Sequence, residues 1–200
     1  MSKQAKTKFG FHSLLENRWS PRSFRDSSIE KEKLQRIFEA ASWAPSSYNE
    51  QPWRFIVGEK GNETYNKILE ALVESNKLWA QKAPVLVVSL AKKYFSNKNK
   101  ENFHFIYDTG QSVAHLTFQA MYEGLYVHQM AGFYFDILKN NFDIPEEYYI
   151  VTVIAIGYIG SSDLLDDNLK NIENAERIRK ELNETVFKEK FGNSWNSEKE

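Results

Sequence analysis

The chain has 200 residues, 42% of them hydrophobic, 14% aromatic and 26% charged, with a formal net charge of −1. That length suffices for one domain to hold together without cross-links, and the absence of cysteine excludes disulfides, thiolate metal sites, cysteine nucleophiles and dithiol redox chemistry. The charge lacks the basic excess of nucleic-acid binders and no run approaches about eighteen uncharged apolar residues, so neither nucleic acid nor membrane is expected as a partner and a cytoplasmic location is expected.

Residues 9–17, with Phe11, Leu14 and Leu15 apolar, predict a short helix running into the cluster Arg18-Trp19-Ser20-Pro21-Arg22. Ser27 with Glu30 has the spacing of a capping box, and Leu34, Ile37, Phe38 and Ala41 then recur at helical spacing until Pro45. Residues 53–57 read as a strand, and Tyr65, Ile68, Leu69, Leu72 and Val73 as one further helix. The apolar run 85–90 after Pro84 predicts a strand buried on both faces, whereas 94–101 is polar and reads as a solvated loop. Small residues among large ones over 103–123 predict a long central helix contacted on more than one side and closed by Gly124. A brief strand at 125–127, a short helix at 133–140 and a strong strand at 149–159 follow. Residues 163–171 read as a polar loop, and a charged helix from about Glu173 leads to a tail ending Asn193-Ser194-Trp195.

Nothing divides the chain, so one domain over residues 1–200 is expected, with a tail at 189–200. Three or four strands are too few for a doubly wound dinucleotide fold and favour an α+β sandwich. Gly157-Tyr158-Ile159-Gly160 lacks the third glycine of a dinucleotide fingerprint and reads as a strand-ending turn. His12, His104, His115 and His128 show no metal-ligand spacing, so no metal is expected, and no nucleophile elbow or phosphate loop occurs.

Two constellations carry chemistry. Arg18, Ser20 and Arg22 supply two guanidinium forks and a hydroxyl, suited to a phosphate monoester, and Arg177, Arg179 and Lys180 near the other end of the sequence offer more cations for the same anion. Solvated helix surface is the plainer explanation of the second group. Pro45, Ser46, Ser47, Tyr48, Asn49, Glu50, Gln51 and Pro52 hold more hydrogen-bonding capacity than a turn requires, which suits the edge of a flat heterocycle. Asn76 is a weaker candidate, and Gln129, Met130, Ala131 and Gly132 put small residues where backbone N–H groups can approach a ligand closely.

In order, Arg18-Trp19-Ser20-Pro21-Arg22-Ser23-Phe24, Ala44-Pro45-Ser46-Ser47-Tyr48-Asn49-Glu50-Gln51-Pro52-Trp53, Asn76 before Trp79, Ala83-Pro84-Val85, Met130-Ala131-Gly132-Phe133 and Arg177-Ile178-Arg179-Lys180 resemble the FMN-dependent nitroreductase family, from about residue 11 to 188. The resemblance implies a nitroreductase-like α/β sandwich with a central, mainly antiparallel sheet flanked by helices, assembled as an intertwined homodimer with FMN between the subunits. It also implies that Arg18, Trp19, Ser20, Arg22, Arg177 and Arg179 hold the phosphate and ribityl end. Pro45, Ser46, Ser47, Asn49 and Gln51 would come from the partner subunit, Asn76 would bond the ribityl or pyrimidine side, and Gln129, Met130, Ala131 and Gly132 would lie along the ring.

By the same resemblance no side chain is catalytic. NAD(P)H would pass a hydride to flavin N5, beside the backbone of Ala131 and Gly132, and a nitroaromatic, quinone or other electron-poor acceptor would follow in ping-pong order. Arg22 near the ring would favour reduced, anionic flavin. Two departures bear on reductant and substrate: Trp79 stands where some relatives carry lysine, and Ala131 where some carry an acid. The same fold also supports dehalogenation, flavin destruction or non-catalytic flavin binding.

Overall fold

The computed structural model describes residues 3–97 and 100–196. In chain order it contains α1 (Ser13–Asn17), α2 (Lys31–Ser42), β1 (Trp53–Glu59), α3 (Glu63–Glu70), α4 (Glu74–Ala80), β2 (Val85–Lys92), α5 (Phe105–Tyr122), β3 (Tyr126–Met130), α6 (Phe135–Asn141), β4 (Tyr148–Gly157) and α7 (Asp167–Asn174). The four strands form one sheet in the order β1-β2-β4-β3, every neighbouring pair antiparallel.

Because side chains alternate along a strand, the two inner strands feed two cores. Leu86, Val88 and Leu90 of β2 and Val153 and Ala155 of β4 pack with Tyr65 and Ile68 of α3, Trp79 of α4 and Leu138 of α6. Val85, Val87, Ile154 and Ile156 face the other way, against Leu34, Ile37 and Ala41 of α2 and Val113, Leu116 and Ala120 of α5. Each fully buried aliphatic side chain contributes roughly 1.5–3 kcal/mol, so these paired layers hold the α+β sandwich. The register slips once, between Ser89 and Leu90, leaving Val151 as the extra residue of β4.

Several local expectations are corrected. The predicted helix through Val73 stops at Glu70, because Leu72 bridges to Phe133 and Val73 donates its N–H to the Gly132 carbonyl, at 3.1 Å; a separate helix, α4, then begins. Ser27 and Glu30 form no capping box. Glu30 is itself the N-cap without a side-chain bond, and its carboxylate accepts from the Tyr158 hydroxyl at 2.6 Å. The stretch read as a polar loop at 163–171 is largely helical, since Asp166 caps α7 by accepting from Leu169 N at 2.8 Å. The charged helix expected from Glu173 does not form, and residues 175–180 carry no helix.

Strand β3 runs on to Met130, beyond the brief strand expected. Residues 94–101 are not a plain loop: Tyr94 bridges Glu101, and Phe95 donates to the Lys100 carbonyl at 2.8 Å. Lys98 and Asn99 of that stretch, and 197–200 of the tail, lie outside the described residues. Among the described residues no helix is long and apolar enough to cross a membrane.

The Gly157–Gly160 pair ends a strand, as its spacing indicates. A Cβ on Gly157 would lie 2.9 Å from Phe24 Cδ1 and one on Gly160 2.6 Å from Ser23 Oγ, because the chain after the first arginine cluster lies against this strand end. Gly160 N donates to Ser23 O, and Arg25 N to Tyr158 O, both at 2.9 Å.

Candidate functional site

The segment from Arg18 to Arg22 is fixed from three sides. Arg18 N closes α1 by donating to Leu14 O at 3.0 Å. From β3, the His128 ring donates from Nδ1 to Pro21 O at 2.9 Å. From α7, the carboxylate of Glu173, only 4% exposed, accepts from Arg22 N at 3.0 Å and from Ser23 N at 3.2 Å. His128 also packs on Trp79, ring centres 4.4 Å apart. Burial, outweighing the bond to Pro21, pushes the His128 pKa down to about 4, so the ring is neutral near pH 7.

Above this segment lies a cavity of about 240 Å³ that Arg18, Trp19, Ser20 and Arg22 line together with Arg177 and Arg179 from the opposite end of the chain. Of the second group, Arg177 is partly buried in this lining, Arg179 lines it while remaining exposed, and Lys180 is exposed and outside it. Burial lowers the Arg18 pKa, and repulsion from Arg177 and Arg179 lowers it further; Arg177 is lowered by burial and by Arg179. Arg177 Nη1 is aimed by the carbonyls of Lys3 and Glu16, at 2.7 and 2.6 Å. Of the acids nearby, Glu173 is committed to backbone N–H groups and Glu176 pairs with Lys6, so among the described residues no carboxylate pairs with these arginines.

Trp19, 7% exposed, forms part of the cavity wall, and its buried Nε1 donor has no partner. Partly desolvated like charges and the Ser20 hydroxyl, which accepts from Arg18 Nη1 at 3.4 Å, make a donor set suited to a phosphate dianion. Metal chemistry has no comparable support: no group of three metal-ligating side chains comes together among the described residues.

Asn76, Ala131 and Gly132 meet at the end of β3. Asn76 Nδ2 donates to Gly132 O at 3.0 Å, and a Cβ on Gly132 would sit 2.8 Å from both Asn76 Nδ2 and Val73 Cγ2. Any larger residue there would force the Asn76 and Val73 side chains to shift. Gln129 and Ala131 are exposed, whereas the Met130 side chain is in the core, so Met130 has only its backbone to offer a ligand. Trp79, one turn beyond Asn76 on α4, is buried between Phe24 and His128 and is therefore a packing residue that ties this end of β3 to the arginine segment.

The serine loop is elsewhere. Pro45, Ser46, Ser47, Asn49 and Gln51 do not line the arginine cavity; they lead into β1, the sheet edge opposite β3, about 14 Å away across the strands. Tyr48, Asn49 and Gln51 hold left-handed φ values of 53°, 55° and 52°, a strain characteristic of ligand clamps. Buried Asp108 of α5 accepts from Ser47 N at 3.0 Å, Ser46 Oγ accepts from Gln51 N at 3.0 Å, and Glu50 accepts from Ser96 N at 2.9 Å. Sequence reading missed Glu173, His128 and Asp108, since each is a lone polar residue whose partner lies far away in the chain.

The model of the nitroreductase family matches residues 15–82. A solved structure described as an oxidoreductase containing FMN is 31% identical, covering 97% of this chain and 99% of its own, with a TM-score of 0.90. A nitroreductase family protein from Clostridium difficile 630 is 26% identical over 91% of this chain and 99% of its own, with a TM-score of 0.70. A protein of Archaeoglobus fulgidus named "Putative NADH dehydrogenase/NAD(P)H nitroreductase" is 27% identical over 72% of this chain and 83% of its own length. The chain belongs to the nitroreductase family and is an oxidoreductase.

Proposed function

We propose that the protein binds FMN and uses NAD(P)H, in ping-pong order, to reduce nitroaromatics, quinones or a related electron-poor acceptor. The observation that carries this reading is the convergence of Arg18 and Arg22 with Arg177 and Arg179 on one cavity without a paired acid. When bound, FMN supplies the hydride-carrying chemistry, which this cysteine-free sequence has no thiol to supply. Arg18, Trp19, Ser20, Arg22, Arg177 and Arg179 hold its phosphate and ribityl end. Asn76 bonds the ribityl or pyrimidine side and the backbone of Gln129, Met130, Ala131 and Gly132 lies along the ring, the two joined by the bond from Asn76 Nδ2 to Gly132 O. The FMN content of the 31%-identical structure and the reductase name of the archaeal protein support the same reading.

A second copy completes the site. The width of the sheet separates Pro45, Ser46, Ser47, Asn49 and Gln51 from the arginine cavity of their own chain. Helix α5 exposes Ile106, Tyr107 and Tyr122, and a Cβ on its Gly110 would meet nothing within 4 Å. A glycine in mid-helix costs about 1 kcal/mol relative to alanine, a cost that close approach of another subunit offsets.

The test is spectroscopic. Purified protein is expected to be yellow, to bleach with NADH or NADPH under anaerobic conditions, and to regain colour on adding a quinone or nitroarene. Retained flavin that neither nicotinamide reduces would contradict the reductase and favour a binding module.

A further inference from the structure

Residues 3–8 are stitched to the segments on either side of the arginine cavity, and Lys3 of them lines it. Ala5 N donates to Glu16 O at 2.9 Å, Gln4 Nε2 to Glu16 Oε2 at 2.9 Å, Lys8 pairs with Glu181 at 2.9 Å, and Lys6 pairs with Glu176. This strap joins the two chain segments that supply the arginines, and Lys3 lies at its cavity end. The Lys3 carbonyl aims Arg177, its ammonium stands 4.6 Å from the centre of the Trp19 ring and donates to the Glu173 carbonyl, and its side chain lines the cavity. Burial lowers the Lys3 pKa; Glu173 opposes that, while Arg177 and Arg22 add to it. A fifth cation is thus held over the Trp19 ring against the repulsion of two arginines, with Glu173 as its one attractive charge. Exposed ion pairs such as those of Lys6 and Lys8 contribute little by themselves and do not account for placing another positive charge there.

We infer that Lys3 is a phosphate ligand and that the strap of residues 3–8 closes the phosphate end of the cofactor site. The inference rests on the reading of the cavity as the FMN phosphate site. Lys3 then bonds the anion directly and, through its backbone, positions Arg177.

FMN and riboflavin, which differ only by the phosphate, separate the possibilities. Dissociation constants for both are measured by flavin fluorescence on the full-length protein stripped of cofactor, comparing wild type with Lys3→Met. The variant is expected to bind FMN about fivefold more weakly, with riboflavin affinity and the thermal midpoint of the flavin-free protein unchanged. Unchanged FMN affinity, or equal losses for both flavins, would overturn the role of Lys3 while leaving the cavity assignment standing. A wild-type protein that binds the two flavins equally would remove the cavity assignment itself, and this inference with it.

Discussion

Arg18 is half-buried beside two other arginines, and among the described residues no carboxylate pairs with them. Replacing Arg18 or Arg22 with alanine is therefore expected to weaken FMN retention by about ten- to hundredfold, read by equilibrium dialysis, while the circular dichroism of the flavin-free protein stays the same. Glu173 acts indirectly. Glu173→Gln halves its acceptor capacity toward Arg22 N and Ser23 N and should cost about 1–3 kcal/mol in urea unfolding. His128 gives a pH signature. Its folded pKa, about 4, lies below the ordinary histidine value of 6.5, so the unfolded chain takes up the proton first as pH falls and stability is lost between those values. From pH 7.5 to 5 the loss is about 2 kcal/mol, and His128→Gln should flatten that part of the profile. At this scale the sequence displayed the arginines because they cluster locally, but hid Glu173 and His128, whose partners lie 151 and 107 residues away.

Among the elements, α2, α5 and the two inner strands were legible because their apolar spacing matches the faces they bury. Helix α4 was not. Its run Glu74–Ala80 has a short apolar pattern, and it forms because Trp79 inserts between Phe24 and His128 while Asn76 seals Gly132. Trp79→Ala is expected to cost about 3–5 kcal/mol and to loosen both ends of the cofactor site, seen as a drop in urea midpoint and faster amide exchange across α4. Likewise α7 replaced an expected loop because one aspartate caps it and one buried glutamate docks it, neither of which has a periodic signature.

For the whole molecule, the sandwich and the arginine convergence lie within one chain, whereas the strained serine loop sits across the sheet from the cavity. A dimer is the expected species in light scattering, and Gly110→Trp, which adds bulk to an exposed face of α5, should shift it toward monomer and lower flavin occupancy without unfolding the sandwich. The family resemblance already implied a serine loop supplied by a partner subunit, but the residues alone could not show that loop and cavity lie apart within one chain, because that follows from strand order rather than from any local pattern. The most direct test of the cation cavity is a crystal structure of the protein with FMN. The phosphate is expected within about 3 Å of the guanidinium groups of Arg18 and Arg177. A phosphate bound away from these arginines, with the cavity beside Trp19 filled only by water, would contradict the account.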